Sequence, residues 1–274
     1  MRSIEHAAPP AGWAEPRLPL RFISDTLTIA DSEIRKVVHD PYELATRALQ
    51  PILWLVIFGE VLAQSRVLST GNLPYLDFLT PGVLAQSALF IAIFYGIAVI
   101  WERDLGVVQK MLVSPAPRVS LVLGKAIAGG MKGLVQAIIV YVVAFVIGVH
   151  IRADAAAIIS VGVLVVLGSA LFASFSLIIA CIVRTRERFM GIGQVLTMPF
   201  FFASSAIYPV SSMPAWLQVV ARVNPLTYMV DGIRGLMVVG GTSEYGLPLD
   251  AAVLVAGLTI LIVIASRLYP RLAQ

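Results

Sequence analysis

Long runs of apolar residues, separated by short polar segments, dominate the chain from residue 41 onwards. Six of these runs have about the twenty residues, or more, that a helix needs to cross roughly 30 Å of hydrocarbon. They cover residues 47–65, 79–100, 121–148, 155–183, 191–209 and 249–268. The pattern therefore predicts an all-α integral membrane protein, with a six-span transmembrane domain over residues 41–274.

The residues before the first run follow a different pattern. Residues 20–40 place apolar side chains at spacings of three and four, and charged side chains mostly elsewhere on the helical wheel. The apolar stripe is made of Leu20, Ile23, Leu27, Ala30, Ile34 and Val37. A helix with one such stripe is too charged to span, so we predict an interfacial amphipathic helix, with packing on a partner subunit as the alternative. Residues 1–19 lack the apolar core of a secretory signal and are expected to form a flexible tail.

A charged, amphipathic segment at residues 101–125 separates the second apolar run from the third, so it must lie at a membrane face. Apolar residues recur in it at helical spacing, and the sequence Ser114-Pro115-Ala116-Pro117 then stops the helix. The recurring residues are Leu105, Val108, Leu112 and Val113. The segment predicts a short helix between two spans, well placed to receive a push from a partner.

The segment 210–240, between the fifth and sixth runs, contains two apolar stretches broken at Asn224-Pro225. Either stretch alone is too short to span, and Arg222, Asp231 and Arg234 oppose burial in lipid. We therefore predict two short outer or re-entrant helices, with protein covering their ends.

Composition and charge indicate how the chain is oriented in the membrane. The chain is 58% hydrophobic and only 13% charged, with a mean hydropathy of +0.88. With the N-terminus in the cytoplasm, fifteen of the 20 lysines and arginines fall in inside segments. Only four fall outside, namely Arg66, Arg152, Arg222 and Arg234, and Lys132 lies within the third span. The bias predicts a multi-pass protein of the cell membrane, surrounded by lipid, with both termini cytoplasmic. The net charge of +4 reports this orientation and does not indicate a nucleic-acid partner.

No catalytic or metal-binding constellation is visible. The acids Glu60, Asp77, Asp154 and Asp231 are spread along the chain, and the three histidines and the single cysteine do not cluster in sequence. A phosphate-binding loop is also missing, because Gly124-Lys125 is followed by Ala126 and has Val119 where the first glycine should be. We expect a non-catalytic chain without a metal or cofactor of its own.

Aromatic and small polar residues cluster on two spans. They are Phe90 and Phe94 on the second span, and Phe200, Phe201, Ser204 and Ser205 on the fifth. Such a stripe usually faces lipid or the core, and a wet, aromatic substrate path between subunits is the alternative.

Two sets of landmarks resemble a known family. The pattern Glu102-Arg103-x-x-Gly106, then Leu112-Val113-Ser114-Pro115, then Gly124-Lys125, is similar to the signature of type-2 ABC exporter permeases. Asn224-Pro225-Leu226-x-Tyr228 resembles that family's second landmark, and the six-span layout agrees with it. The likeness covers roughly residues 20–270, and the daunorubicin-resistance and nodulation-factor exporters look like the nearest subgroup.

The resemblance implies roles for particular residues. A coupling helix that contacts a separate ATP-binding subunit would contain Glu102, Arg103, Gly106, Leu112, Ser114 and Pro115. The face of Leu105, Val108 and Leu112 would seat in a groove of that subunit. Asn224, Pro225 and Tyr228 would belong to an outer gate. Asp104 and Val107 depart from the commoner Glu and Thr of the family pattern, and the simpler explanation of Glu102 and Arg103 is that they mark the lipid–water boundary.

The resemblance also implies the partners and the cargo. Two copies of the permease, expected as a homodimer, would bind two ATP-binding subunits that carry ATP and Mg²⁺. The cargo would be a hydrophobic or amphipathic drug, lipid or lipid-linked saccharide. An ion-coupled secondary transporter or channel is the alternative, for which only Lys132 and Glu60 are candidate intramembrane charges. A membrane enzyme acting on lipid is a third hypothesis, and it finds no metal-binding acids in the sequence.

Overall fold

The computed structural model describes residues 18–38, 49–65, 73–113, 116–183 and 185–273. Within them the chain forms ten α-helices and two short 3-10 segments, and its β structure is a single isolated bridge between Ile151 and Val238. The helices are α1 (Leu18–Val38), α2 (Leu49–Gln64, with a π-helical middle at Leu53–Gly59), α3 (Tyr75–Asp104), α4 (Val107–Val113), α5 (Arg118–Val146), α6 (Ala155–Ile182), α7 (Arg186–Phe202), α8 (Ala215–Val223), α9 (Pro225–Met237) and α10 (Leu247–Leu268).

Four helices, α3, α5, α6 and α10, are long and apolar enough to cross a membrane. They coincide with the second, third, fourth and sixth predicted spans. The first predicted span corresponds to the shorter apolar helix α2, and the fifth corresponds to α7, which has 17 residues. The structure therefore supports a helical membrane protein, and the count of six spans stays a prediction.

The fifth predicted span, residues 191–209, ends earlier than expected. Helix α7 stops at Phe202, and residues 203–208 form turns. Hydrogen bonds explain the stop, because the Ser204 hydroxyl donates to the Phe201 carbonyl and the Asn224 amide nitrogen donates to the Phe200 and Ala203 carbonyls. Side-chain donors thus bond to carbonyls at the end of α7 that a further helical turn would otherwise satisfy.

Helices α3 and α6 form the centre of the bundle. Both are mostly buried, and α6 packs against α3, α5, α9 and α10. Close approach is possible where small residues meet: the backbone N–H of Gly96 on α3 donates to the Ser176 hydroxyl on α6 at 3.0 Å, and that hydroxyl donates to the Ile93 carbonyl. We call the end of the bundle that holds Asp104 and Arg118 the inner end, and the opposite end the outer end, after the predicted orientation.

Helix α1 packs on α5 at the inner end. Thr26 and Ala30 are buried there, and a Cβ atom on Gly124 would come within 2.8 Å of Ile29. Ile23 and Leu27, which belong to the predicted apolar stripe, stay more than half exposed. Part of the stripe is thus left for another apolar surface, and the interfacial location of this helix stays a prediction.

The tight contact of Gly82 gives the first prediction. A Cβ atom on Gly82 of α3 would overlap the carbonyl oxygen of Ala206, whereas Gly191 of α7 has no atom within 4 Å of its Cβ position. We expect Gly82→Ala to cost about 1–3 kcal/mol, and Gly191→Ala to be neutral or to stabilise by up to about 1 kcal/mol. Thermal unfolding in detergent measures both, and equal melting temperatures for the two variants would contradict the close packing.

Candidate functional site

The inner end of α3 closes in a tight turn that leads into α4. Leu105 donates its N–H to the Trp101 carbonyl, and Gly106 donates to the Arg103 carbonyl. Gly106 has φ +73°, in the left-handed region that favours glycine. Helix α4 begins at the next residue, so this turn sets the direction in which the short helix leaves the bundle.

A buried ion pair fixes the base of this turn. The Nζ atom of Lys125 on α5 lies 2.5 Å from Oε2 of Glu102 on α3, and the two residues are 1% and 8% exposed. Both belong to the sequence landmarks, and they form a polar contact with each other. The suggestion that Glu102 only marks the lipid–water boundary is therefore wrong, since its carboxylate holds α3 to α5.

Arg103 connects the same turn to the segment before α7. Its guanidinium donates to the Val183 carbonyl at 3.2 Å and to Oδ1 of Asp104 at 3.0 Å. Asp104 also accepts from Arg186 at 2.8 Å, and the Arg186 guanidinium stacks 3.5 Å from the centre of the Trp101 ring. These exposed contacts are individually worth less than about 1 kcal/mol, but together they tie the start of α7 to the end of α3.

The buried and exposed faces of α4 differ from the predicted ones. Val108 is fully buried, and Leu112 is half-buried against the inner apolar cluster of the bundle. Leu105 and Val113 are 70% and 86% exposed. The predicted docking face of Leu105, Val108 and Leu112 is wrong for Val108, which packs inside the chain. Gln109 and Lys110 are exposed alongside Leu105 and Val113, whereas Ser114 and Pro115 lie outside the described residues.

One groove contains two of the predicted path residues. Phe90 and Phe94 line a cavity of about 560 Å³ between α3, α5 and the start of α2. Lys132 also lines it, with its Nζ atom 4.5 Å from the centre of the Tyr95 ring. Lys132 lies near the middle of α5.

The other four predicted path residues divide into two groups. Phe200 lines an apolar groove of about 440 Å³ between α7 and α8. Phe201, Ser204 and Ser205 are buried inside the chain and line neither groove. The hydroxyls of Ser204 and Ser205 donate to backbone carbonyls, which gives these serines a packing role within one copy.

The second landmark forms the corner between α8 and α9. Asn224 accepts from the Leu226 N–H as the N-cap of α9, and its amide donates to the carbonyls of Phe200 and Ala203 at 2.7 and 2.9 Å. Pro225 takes the first helical position, and the Tyr228 hydroxyl donates to the Arg222 carbonyl. The three residues fix the geometry of the corner.

Sequence reasoning missed a polar cluster near the outer end of the bundle. Arg234 on α9 is 6% exposed and donates to the carbonyls of Phe78 and Ser205. Burial lowers the pKa of Arg234 to about 10, which leaves it protonated at neutral pH. Asp231 is buried one helical turn earlier. The sequence shows two charged residues in an apolar stretch, but it does not show which residues contact them. Among the described residues, no group of three or more His, Cys, Asp or Glu side chains is arranged to hold a metal ion.

Sequence comparisons identify proteins that are similar to this chain. A sequence model of the ABC-2 type transporter family matches residues 24–238. A Cyanophora paradoxa protein named as the transport permease ycf38 is 28% identical over 218 residues, which is 78% of this chain and 74% of that protein. The daunorubicin resistance ABC transporter permease protein DrrB1 of Streptomyces coeruleorubidus is 25% identical over 218 residues, 78% of this chain and 75% of its own length. A protein of Escherichia coli K12 named as the multidrug ABC transporter permease YbhR is 28% identical over 162 residues, 58% of this chain and 43% of its own.

The buried ion pair gives a stability prediction. Glu102→Gln removes the carboxylate beside a buried ammonium group, and we expect a loss of about 3–5 kcal/mol. The double variant Glu102→Gln/Lys125→Met removes both charges, and should recover most of that loss because apolar replacement of a buried pair is often neutral. Thermal unfolding in detergent measures both variants.

The exposed Asp104 provides the control for the ion pair. Asp104→Asn breaks contacts that are open to solvent and should cost less than about 1 kcal/mol. A double variant as unstable as Glu102→Gln alone would show that the charges do not stabilise the fold through each other.

A second prediction separates the two roles of Asn224. Asn224→Asp keeps the acceptor that caps α9 but lacks the N–H donors to the Phe200 and Ala203 carbonyls. We expect Asn224→Asp and Asn224→Ala to be destabilised by similar amounts, about 1–3 kcal/mol. An Asn224→Asp variant as stable as the wild type would mean that helix capping is the main role, since aspartate is an equally good cap.

Proposed function

Because the chain belongs to the ABC-2 type transporter family, we propose that it is the membrane-spanning permease subunit of an ATP-driven exporter. Energy comes from separate ATP-binding subunits, two copies of which carry ATP and Mg²⁺ beneath a homodimer of this chain. The permease itself catalyses no reaction. Its cargo is a hydrophobic or amphipathic drug, lipid or lipid-linked saccharide, which agrees with two relatives named for daunorubicin resistance and multidrug transport.

The observation that carries the proposal is the short helix α4, held at the inner end between two long apolar helices. The ion pair of Glu102 and Lys125 and the contacts of Arg103 anchor the turn that precedes α4. The exposed Leu105 and Val113 offer an apolar contact surface to a second protein. A partner that moves α4 therefore also acts on α3, α5 and the start of α7.

The proposed topology follows the family and the charge distribution. Helices α2, α3, α5, α6, α7 and α10 would supply six spans in the cell membrane, with both termini in the cytoplasm. Helix α1 would lie at the cytoplasmic membrane surface, where its exposed Ile23 and Leu27 meet lipid.

The proposed substrate path lies between two copies of the chain. Apolar side chains are exposed along α7 and α8, among them Val195, Phe202, Trp216 and Val223. The two grooves that contain Phe90, Phe94 and Phe200 are lined mainly by aromatic and apolar residues, as an amphipathic cargo requires. ATP-driven movement of α4 would open these surfaces alternately to each side of the membrane.

The proposed outer gate is the corner at Asn224, Pro225 and Tyr228. Asn224 joins this corner to the end of α7, so a tilt of α7 is passed on to α8 and α9. The gate therefore opens and closes with the span to which it is bonded.

The experiment is co-reconstitution of the chain with its ATP-binding subunit in proteoliposomes. Leu105→Asp and Val113→Asp place a carboxylate on the proposed contact surface, and burying it unpaired is unfavourable. We expect at least about a tenfold loss of affinity for the ATP-binding subunit, and a corresponding loss of ATP-dependent export of fluorescent drug or lipid probes. Co-purification and transport rates measure the two effects.

The matched control is Val239→Asp, which alters an exposed valine near the outer end of the bundle. It should leave subunit binding and transport unchanged. Normal transport by the Leu105 and Val113 variants would show that α4 is not the coupling surface. Transport that needs an ion gradient and ignores ATP would instead favour the secondary transporter or channel.

A further inference from the structure

A buried pair of carboxyl groups joins α9 to α10 at the outer end. Asp231 lies on α9 and Asp250 in the first turn of α10, and they are 3% and 0% exposed. The hydroxyl of Ser243, in the loop between the helices, lies 2.8 Å from Oδ2 of Asp231 and 2.9 Å from Oδ2 of Asp250. One hydroxyl group therefore stands between two buried carboxyl groups.

The Ser243 hydroxyl has too few hydrogen atoms to donate to both carboxyl groups. A serine hydroxyl donates one hydrogen bond and accepts up to two. The Ser243 oxygen already accepts from the backbone N–H of Gly246 at 2.7 Å. If Asp231 and Asp250 were both ionised, the single hydroxyl hydrogen could serve only one of them, and the other carboxylate would face the lone pairs of the hydroxyl oxygen. A proton on one carboxyl group removes the conflict, because that group donates to Ser243 and Ser243 donates to the other.

The surroundings decide which carboxyl group holds the proton. Asp231 accepts the backbone N–H groups of Glu244 and Tyr245 at 3.0 and 2.9 Å. Among the described residues, Asp250 has no comparable donors, since its Oδ1 atom is buried without a hydrogen-bond partner. An ionised oxygen in that position is costly, whereas a neutral carboxyl group is tolerated. The proton therefore belongs on Asp250.

The charges facing the pair are consistent with one neutral and one ionised carboxyl group. Arg234 on α9 is the nearby cation, and it interacts electrostatically with Asp231 and with Glu244 of the loop. Arg222 and Tyr228 lie near Tyr245 of the same loop, and Arg152 donates to the loop carbonyl of Gly241. Helix α6, which packs against α10, carries no charged residue, and the outer half of α5 carries none either. Helix α3, which packs against α9, carries Asp77, which bonds to His150. The hydrogen bonds that the described residues make to Asp231 and Asp250 involve none of these cations.

We propose that Asp250, Ser243 and Asp231 form a proton-binding site at the outer end of the molecule. The site keeps one proton at neutral pH and releases it in alkaline solution. Release places two carboxylates against one hydroxyl, which weakens the bond between the loop and the start of α10. Because Ser243 also receives the Gly246 N–H that precedes α10, the loop loosens with the loss of the proton. The site concerns the fold of the outer end and does not depend on the proposed export activity.

The test is the pH dependence of thermal unfolding of the full chain in detergent, between about pH 6 and about pH 9. Where the native state still holds a proton that the unfolded chain has released, stability falls as the pH rises, by about tenfold in the folding equilibrium per pH unit. The slope disappears at the pH where the native site has also released its proton. This corresponds to a fall in Tm of about 2–4 °C or slightly more per pH unit. Asp250→Asn supplies a permanent N–H donor to Ser243, and we expect it to remove this slope and to keep the low-pH Tm.

The control variant is Glu244→Gln, which alters an exposed acid in the same loop and should keep the wild-type slope. An Asp250→Asn variant that keeps the slope would overturn the proposal. So would a Tm that responds to Na⁺ at fixed pH and not to pH, because the ligand would then be a metal cation.

Infrared spectroscopy of the wild-type chain provides a readout that needs no variant. We expect the carbonyl stretching band of a protonated carboxyl group at neutral pH, its loss in alkaline solution, and a shift after exchange into heavy water. If Asp250→Asn does not fold, this spectrum decides the question. Absence of the band at neutral pH would overturn the assignment of the proton.

Discussion

A charged side chain that leaves water must meet an opposite charge or a set of hydrogen bonds, and this requirement organises both ends of the bundle. At the inner end, the Glu102 carboxylate and the Lys125 ammonium group satisfy each other and hold α3 against α5. At the outer end, Arg234 is satisfied by the carbonyls of Phe78 and Ser205, which brings α9 against α3 and against the turn after α7. The polar contacts thus determine which helix ends meet.

The middle of the bundle follows a different rule. Helices in lipid gain little from apolar contact with each other, because the lipid chains are equally apolar. Helices α3 and α6 instead approach closely at Gly96, where the Ser176 hydroxyl links the two backbones. Tight packing of small residues therefore holds the long helices together, and the charged contacts at either end fix their order.

The sequence allowed the long helices and the break at Asn224 to be predicted, since both depend on local hydrophobicity and on proline chemistry. It did not give the partners of buried polar groups. Glu102 was assigned to an external contact because the residue that pairs with it lies on another helix. Val108 was placed on an exposed face because periodicity shows that a helix has an apolar side, without showing what covers that side. Phe201 belongs to the aromatic cluster for which the sequence leaves a core position and a substrate path open, and it is buried in a single copy.

The attachment of α4 explains how so short a helix can transmit force. A helix of seven residues is not stable in water by itself, so its position depends on the rest of the chain. Pulling it away would expose Val108, at a cost of about 1.5–3 kcal/mol, and straining its base would disturb the Glu102 ion pair, at about 3–5 kcal/mol. Burial of the exposed Leu105 and Val113 side chains against a partner would contribute a binding free energy of similar size. In the proposed exporter, a pull on α4 is therefore passed to α3 and α5 through the turn that the Glu102 ion pair holds.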